Sequence, residues 1–150
     1  MDIELLKRMM DAFYQAKRIR DMLPPLPEGV TSSYIQYLDV IHSLERKGVQ
    51  VKVSDISDAL ALPRPGVTRT IKDMEAKGYV KKLASPVDGR VTYLSITDKG
   101  EELHQKYNEQ YFHALASCVK GISEEDALCM IHTIEKFYKI MCERRISIDK

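Results

Sequence analysis

The sequence predicts a mainly helical fold of the α+β kind, a run of amphipathic helices interrupted by one small antiparallel ribbon. Three observations point there. Apolar residues recur at three- and four-residue spacing through most of the chain, which marks helices with one buried face. Between Tyr79 and Ile96 that spacing gives way to two strand-like runs, Tyr79 to Ala84 and Val91 to Ile96, around Ser85-Pro86-Val87-Asp88-Gly89-Arg90, which is turn chemistry. Just ahead of the ribbon, Ser54 to Leu60 and Pro65 to Lys77 read as two helices joined by a short Pro-containing turn.

Taken in order, residues 3–23 form the first helix, with Leu6, Met9 or Met10, Phe13, Ala16 and Ile19 or Arg20 at helical spacing. Leu23-Pro24-Pro25-Leu26-Pro27 stops it. The next helix is expected near Ser33, where Ser33 and Gln36 have capping-box spacing, with Tyr34, Tyr37, Leu38, Ile41 and Leu44 on its apolar face. Val49 to Val53 alternates with period 2, a short strand able to join the ribbon. Ser54 is placed to cap the following helix, whose Ile56, Ala59 and Leu60 share a face. In the helix after that, Val67, Ile71 and Met74 form the apolar row and Thr68, Arg69 and Lys72 fall outside it; Gly78 supplies the left-handed stop. Past the ribbon, Thr97 caps a long helix to about Val119, with Leu103, Tyr107, Tyr111 and Cys118 along its stripe. Gly121 breaks it, and Ser123-Glu124-Glu125-Asp126 starts a last helix that runs to Arg144-Arg145.

Length and composition set the outer bounds. A chain of 150 residues with 44% hydrophobic and 30% charged residues is long enough for a core and ordinary for a helical protein. No apolar run is long enough for a membrane span, and the N-terminal Met-Asp-Ile-Glu does not open a basic-then-apolar secretory signal, so the expected location is the cytoplasm. Three cysteines, Cys118, Cys129 and Cys142, are an odd number at no metal-like spacing; they fall on or beside apolar stripes, as inert buried thiols do. There is no Gly-rich phosphate loop, nucleophile elbow or His-Glu-x-x-His, and the paired acids Glu101-Glu102 and Glu124-Glu125 sit at helix starts, where the dipole explains them. An enzyme is not expected, nor a cofactor. His42, His104 and His113 are the residues a metal sensor would draw on. His104 and His113, nine positions apart, fall on opposite sides of a regular helix, so no metal site is expected.

Charge points toward nucleic acid. From Leu62 to Thr92 there are seven basic residues (Arg64, Arg69, Lys72, Lys77, Lys81, Lys82, Arg90) and three acidic ones (Asp73, Glu75, Asp88), a local +4 by subtraction in a chain of net +1. Two helices joined by a turn, the second bearing Thr and Arg near its start, is the helix-turn-helix arrangement, because a major groove admits one helix and its first turns reach base edges. Thr68 and Arg69 are the expected base readers and Arg64 and Lys72 the phosphate contacts. Arg90 on the ribbon's turn is the expected minor-groove residue, oriented by Asp88. Ser54 joins them as a candidate contact. A solvated charged surface, or a module that binds protein in place of DNA, is the alternative reading of the same charges.

These motifs resemble the multiple-antibiotic-resistance regulator (MarR) family. The resemblance is carried by Val67-Thr68-Arg69, by Met74-Glu75-Ala76-Lys77-Gly78-Tyr79-Val80, by the wing's Asp88-Gly89-Arg90, and by Leu94-Ser95-Ile96-Thr97-Asp98-Lys99-Gly100. It implies a winged helix-turn-helix with N- and C-terminal dimerisation helices: 1–30 and 98–150 for dimerisation, 31–97 for the DNA-binding module. It further implies a homodimeric repressor or activator on a palindromic operator, often released by a small aromatic or amphipathic effector, for which Tyr14, Tyr37, Ile41 and His42 are the candidate lining. One departure stands out: family members place a Ser near the start of the recognition helix, where this chain has Pro63-Arg64-Pro65. The family's organic-peroxide branch uses a first-helix cysteine, and here none precedes Cys118.

Overall fold

A computed structural model describes residues 1–149. The elements run α1 (Ile3–Asp21), α2 (Ser32–Arg46), α3 (Val53–Leu60), α4 (Arg64–Ala76), β1 (Val80–Ala84), β2 (Thr92–Ile96), α5 (Asp98–His104), a π-helical turn (Gln105–Gln110), α6 (Tyr111–Cys118) and α7 (Glu124–Glu143). The chain divides into two units, Met1–Glu109 and the remainder from Gln110. No helix among the described residues is long and apolar enough to cross a membrane.

The core of the first unit is built where the apolar rows of α2, α3, α4 and the ribbon meet. Leu38 and Ile41 of α2, Ile56 of α3, and Val67, Ile71 and Met74 of α4 are all closed to solvent. Val80 of β1, Leu94 of β2 and Leu103 of α5 belong to the same cluster. The ribbon is antiparallel, from Val80 opposite Ile96 to Ala84 opposite Thr92. Its alternation sends Val80 and Leu94 inward and leaves Lys81 exposed, as a half-buried two-stranded sheet requires.

Two junctions hold the ribbon to the helices. At the end of α4, Gly78 takes φ +82°, Gly78 N–H donates to Glu75 O (3.0 Å) and Tyr79 N–H to Met74 O (2.9 Å), the paired bonds of a Schellman stop. At the start of α5, Thr97 Oγ1 accepts the Gly100 N–H at 3.1 Å, while the Thr97 N–H donates to Tyr79 O at 3.1 Å. Gly100 packs so closely on the Tyr79 carbonyl that a Cβ there would collide with it. The Thr-x-x-Gly spacing is therefore a cap and a close approach in one motif.

The terminal helices differ. α1 is capped by Asp2, whose carboxylate accepts the Leu5 N–H at 2.7 Å, and α7 by Ser123, which accepts the Asp126 N–H at 3.0 Å. No residue of α1, α6 or α7 is buried. Leu128, Met130, Ile131, Ile134 and Met141 of α7 all stand exposed.

Several sequence expectations need correction. α2 begins at Ser32 with Thr31 as its cap residue and no side-chain capping bond, so the Ser33–Gln36 box is not formed. α3 starts at Val53, and Asp55, not Ser54, ties its end by accepting the Lys52 N–H at 2.8 Å. That early start consumes the expected strand at 49–53, of which a single bridge, Val51 to Leu94, survives. On α3 the inward position beside Ile56 is Ser57, while Ala59 is exposed. The buried hydroxyl is tolerable because it donates to Leu62 O at 2.8 Å. The long helix from Thr97 is interrupted by the π-helical turn. The three cysteines are exposed in the chain.

Candidate nucleic-acid interface

The turn between α3 and α4 is tight and slightly strained. Ala61 adopts φ +51° and ψ +45°, left-handed values that cost a residue with a Cβ about 1 kcal/mol. Ser57 grips both sides of it: its hydroxyl donates to Leu62 O, and its carbonyl accepts the Leu62 N–H at 3.0 Å. The turn delivers the chain to Pro63, in extended backbone, and α4 begins at Arg64 with no side-chain cap. The two prolines make that tolerable. A helix start normally leaves four amide donors without partners. Pro63 and Pro65 have no N–H, so Arg64 and Gly66 alone carry orphan donors.

With Val67, Ile71 and Met74 anchored in the core, helical spacing turns Arg64, Thr68, Arg69 and Lys72 outward, and all four are exposed. Arg64, Arg69, Lys72 and Lys81 have no ion-pair or hydrogen-bond partner among the described residues. The other cations of the +4 stretch are engaged. Lys77 Nζ donates to Gly29 O (2.7 Å) and Tyr34 Oη (2.9 Å), and the tyrosine hydroxyl holds its pKa above the usual lysine value. Lys82 lies 3.7 Å from Glu75. Lys77 is thus a brace between α4 and the segment before α2, not a free surface charge.

The wing tip is a side-chain-stapled loop. Ser85 Oγ accepts the N–H groups of Val87 and Asp88, each at 3.2 Å. Asp88 Oδ1 accepts Arg90 N–H at 3.0 Å and Arg90 Nε–H at 3.3 Å. The Arg90 side chain is 93% exposed, so this pair orients the guanidinium and contributes little stability. Ser54 is half-buried on the first turn of α3. The candidate effector residues are not gathered around one cavity: Tyr37 and Ile41 are closed within the core, and Tyr14 is exposed beside a groove on α1 lined by Leu5, Met9 and Ala12. His42 faces His104, a contact that sequence spacing did not reveal because the two lie on different helices.

Residues 28–91 match the model of the MarR family. That stretch runs from the entry to α2 through the wing loop. The winged-helix module is thus similar to that family. Among curated relatives, BilQ of Clostridioides difficile, an HTH-type transcriptional regulator, is 34% identical over 77 residues, 51% of this chain and 49% of BilQ. YdgJ of Bacillus subtilis, an uncharacterized HTH-type transcriptional regulator, is 22% identical over 108 residues, 72% of this chain and 63% of YdgJ. The chain thus spans less than two thirds of either relative's length. The structure of Streptococcus pneumoniae FabT in complex with DNA has a TM-score of 0.68 to this chain at 21% identity, covering 95% of this chain and 99% of that one. At that identity the likeness speaks for the winged-helix fold.

Proposed function

We propose that this chain is a DNA-binding transcriptional regulator, a repressor acting as a homodimer on a palindromic site. The observation that carries it is the ridge of α4: Arg64, Thr68, Arg69 and Lys72 project from a helix whose opposite face is locked into the core, and the three cations among them have no ion-pair partner among the described residues. In this reading Thr68 and Arg69 meet base edges in the major groove. Arg64, Lys72 and the free N–H groups of Arg64 and Gly66 meet phosphate, since a helix start presents donors and a positive dipole end. Arg90, aimed by Asp88, enters the minor groove. Ser54, at the start of α3, contributes a backbone contact.

The dimer rests on α1, α6 and α7, whose apolar rows are uncovered in the single chain and would be covered by a second copy. Residues 1–30 and 98–150 then serve association, and 31–97 serves DNA. A small aromatic or amphipathic effector, as the family resemblance implies, would be lined by Tyr14, Tyr37, Ile41 and His42, of which Tyr37 and Ile41 are packed in the core of the single chain.

Selection of bound sequences from a random duplex library at two salt concentrations tests the reading. The expected result is a palindrome with half-sites about one helical turn (~34 Å) apart, and affinity that falls steeply with salt. In the same assay Arg69→Ala and Arg90→Ala each weaken binding by about 1–3 kcal/mol. A folded chain that enriches no sequence at either salt concentration overturns it in favour of a protein-binding module.

A further inference from the structure

Where α2 packs against α5, the rings of His42 and His104 stack with centroids 4.1 Å apart and planes 27° apart. His104 is 2% exposed, and its Nε2 is buried with no hydrogen-bond partner. Glu109 Oε1 lies 3.6 Å from His104 Nε2 and 3.8 Å from His42 Nε2. Those separations are too long for charge-assisted hydrogen bonds, which close to about 2.7–2.9 Å. They approach the ~3.3 Å edge of a tetrahedron whose centre lies ~2.0–2.1 Å from each ligand. All three ligand atoms fall within 4.8 Å of one another.

The backbone has been bent to make this arrangement. Glu109 follows His104 by five residues, which on a regular α-helix places it about 140° around the axis. The π-helical turn Gln105–Gln110, with bonds that span five residues, returns it to the same side. His42 has an outer partner as well: its Nδ1 lies 3.3 Å from Glu101 Oε1, which fixes the ring with Nε2 free to ligate.

We propose that His42, His104 and Glu109 bind a divalent transition-metal ion of the zinc class, with Glu101 as the positioning residue for His42. Two imidazoles and one carboxylate, with a position left for water, is a donor set that zinc takes readily. The half-exposed His42 and exposed Glu109 provide the way in. Loading has a structural consequence at His104. Its Nδ1 now lies 2.9 Å from Asn108 Nδ2, which also donates to Ile35 O at 3.1 Å. For Nε2 to ligate, the ring proton must sit on Nδ1, so Asn108 turns its oxygen inward and releases the Ile35 carbonyl. The metal thereby alters a contact between the π-helical turn and α2, the helix packed on α3 and α4. The site does not rest on the DNA reading, and its readouts need no DNA.

The test is titration of the full, metal-free chain with Co(II) and Zn(II). The expected result is a tetrahedral Co(II) spectrum without a thiolate charge-transfer band. Affinity falls by more than about a hundredfold in His42→Gln and in Glu109→Gln, and by about ten- to a hundredfold in Glu101→Gln. A thiolate band overturns the proposal and assigns the metal to the exposed cysteines, and affinity unchanged in the three variants overturns it as well. If a variant fails to fold, NMR on the native chain decides. Zn(II) must shift the Nε2 resonances of His42 and His104 and the side-chain amide of Asn108, and unmoved resonances overturn it.

Discussion

The winged module and the terminal helices carry the same apolar periodicity, yet only the module closes a core. Among the described residues, every buried one lies between Val30 and His104, while α1, α6 and α7 have none. Ile71 in α4 and Ile134 in α7 both lie on the apolar rows of amphipathic helices; one is fully enclosed and the other 39% exposed. The difference teaches that a periodic apolar row declares a face but not its cover. In α4 the cover is supplied by α2, α3 and the ribbon; for α7 the proposed cover is a second copy of the chain.

The contrast can be tested from its strongest side downward. Ile71→Ala opens a cavity in a closed core and is expected to lower the unfolding free energy by about 2–5 kcal/mol in chemical denaturation. Thr97→Ala removes the cap of α5 and is expected to cost about 1 kcal/mol by the same measurement. Ala61→Gly should raise stability by about 1 kcal/mol or less, since it relieves left-handed strain at the price of unfolded-state entropy. Smallest in the dilute chain is Ile134→Glu, expected to change stability by no more than about 0.5 kcal/mol. The same change should abolish self-association in sedimentation and make the melting temperature independent of concentration. If Ile134→Glu instead unfolds the dilute chain as Ile71→Ala does, α7 is covered within one chain and the contrast fails.

The helix-turn-helix and wing were legible because their signals are local. The Val67/Ile71/Met74 row determines which side of α4 faces inward, and so which side chains are left to face a groove. Pro63, Pro65 and Gly78 mark the ends of that helix through backbone chemistry that needs no distant partner. The same local logic misplaced Ser54 as the cap of α3 and Ala59 on its buried face. The tie at the helix start fell to Asp55, and the inward position to Ser57, which holds Leu62.

By itself the sequence determined the helical periods, the turn chemistry, the +4 concentration around α4 and the wing, and the motifs shared with MarR-family regulators. Only the tertiary structure decided that Val49 to Val53 would yield its strand to α3, that Lys77 would be spent as a brace, and that Tyr37 and Ile41 would be core. It also decided the meeting of His42, His104 and Glu109, which the spacing of His104 and His113 did not address. Spacing arguments assume one regular helix. Here one histidine comes from α2, and the carboxylate arrives through a π-helical turn that changes the helical period.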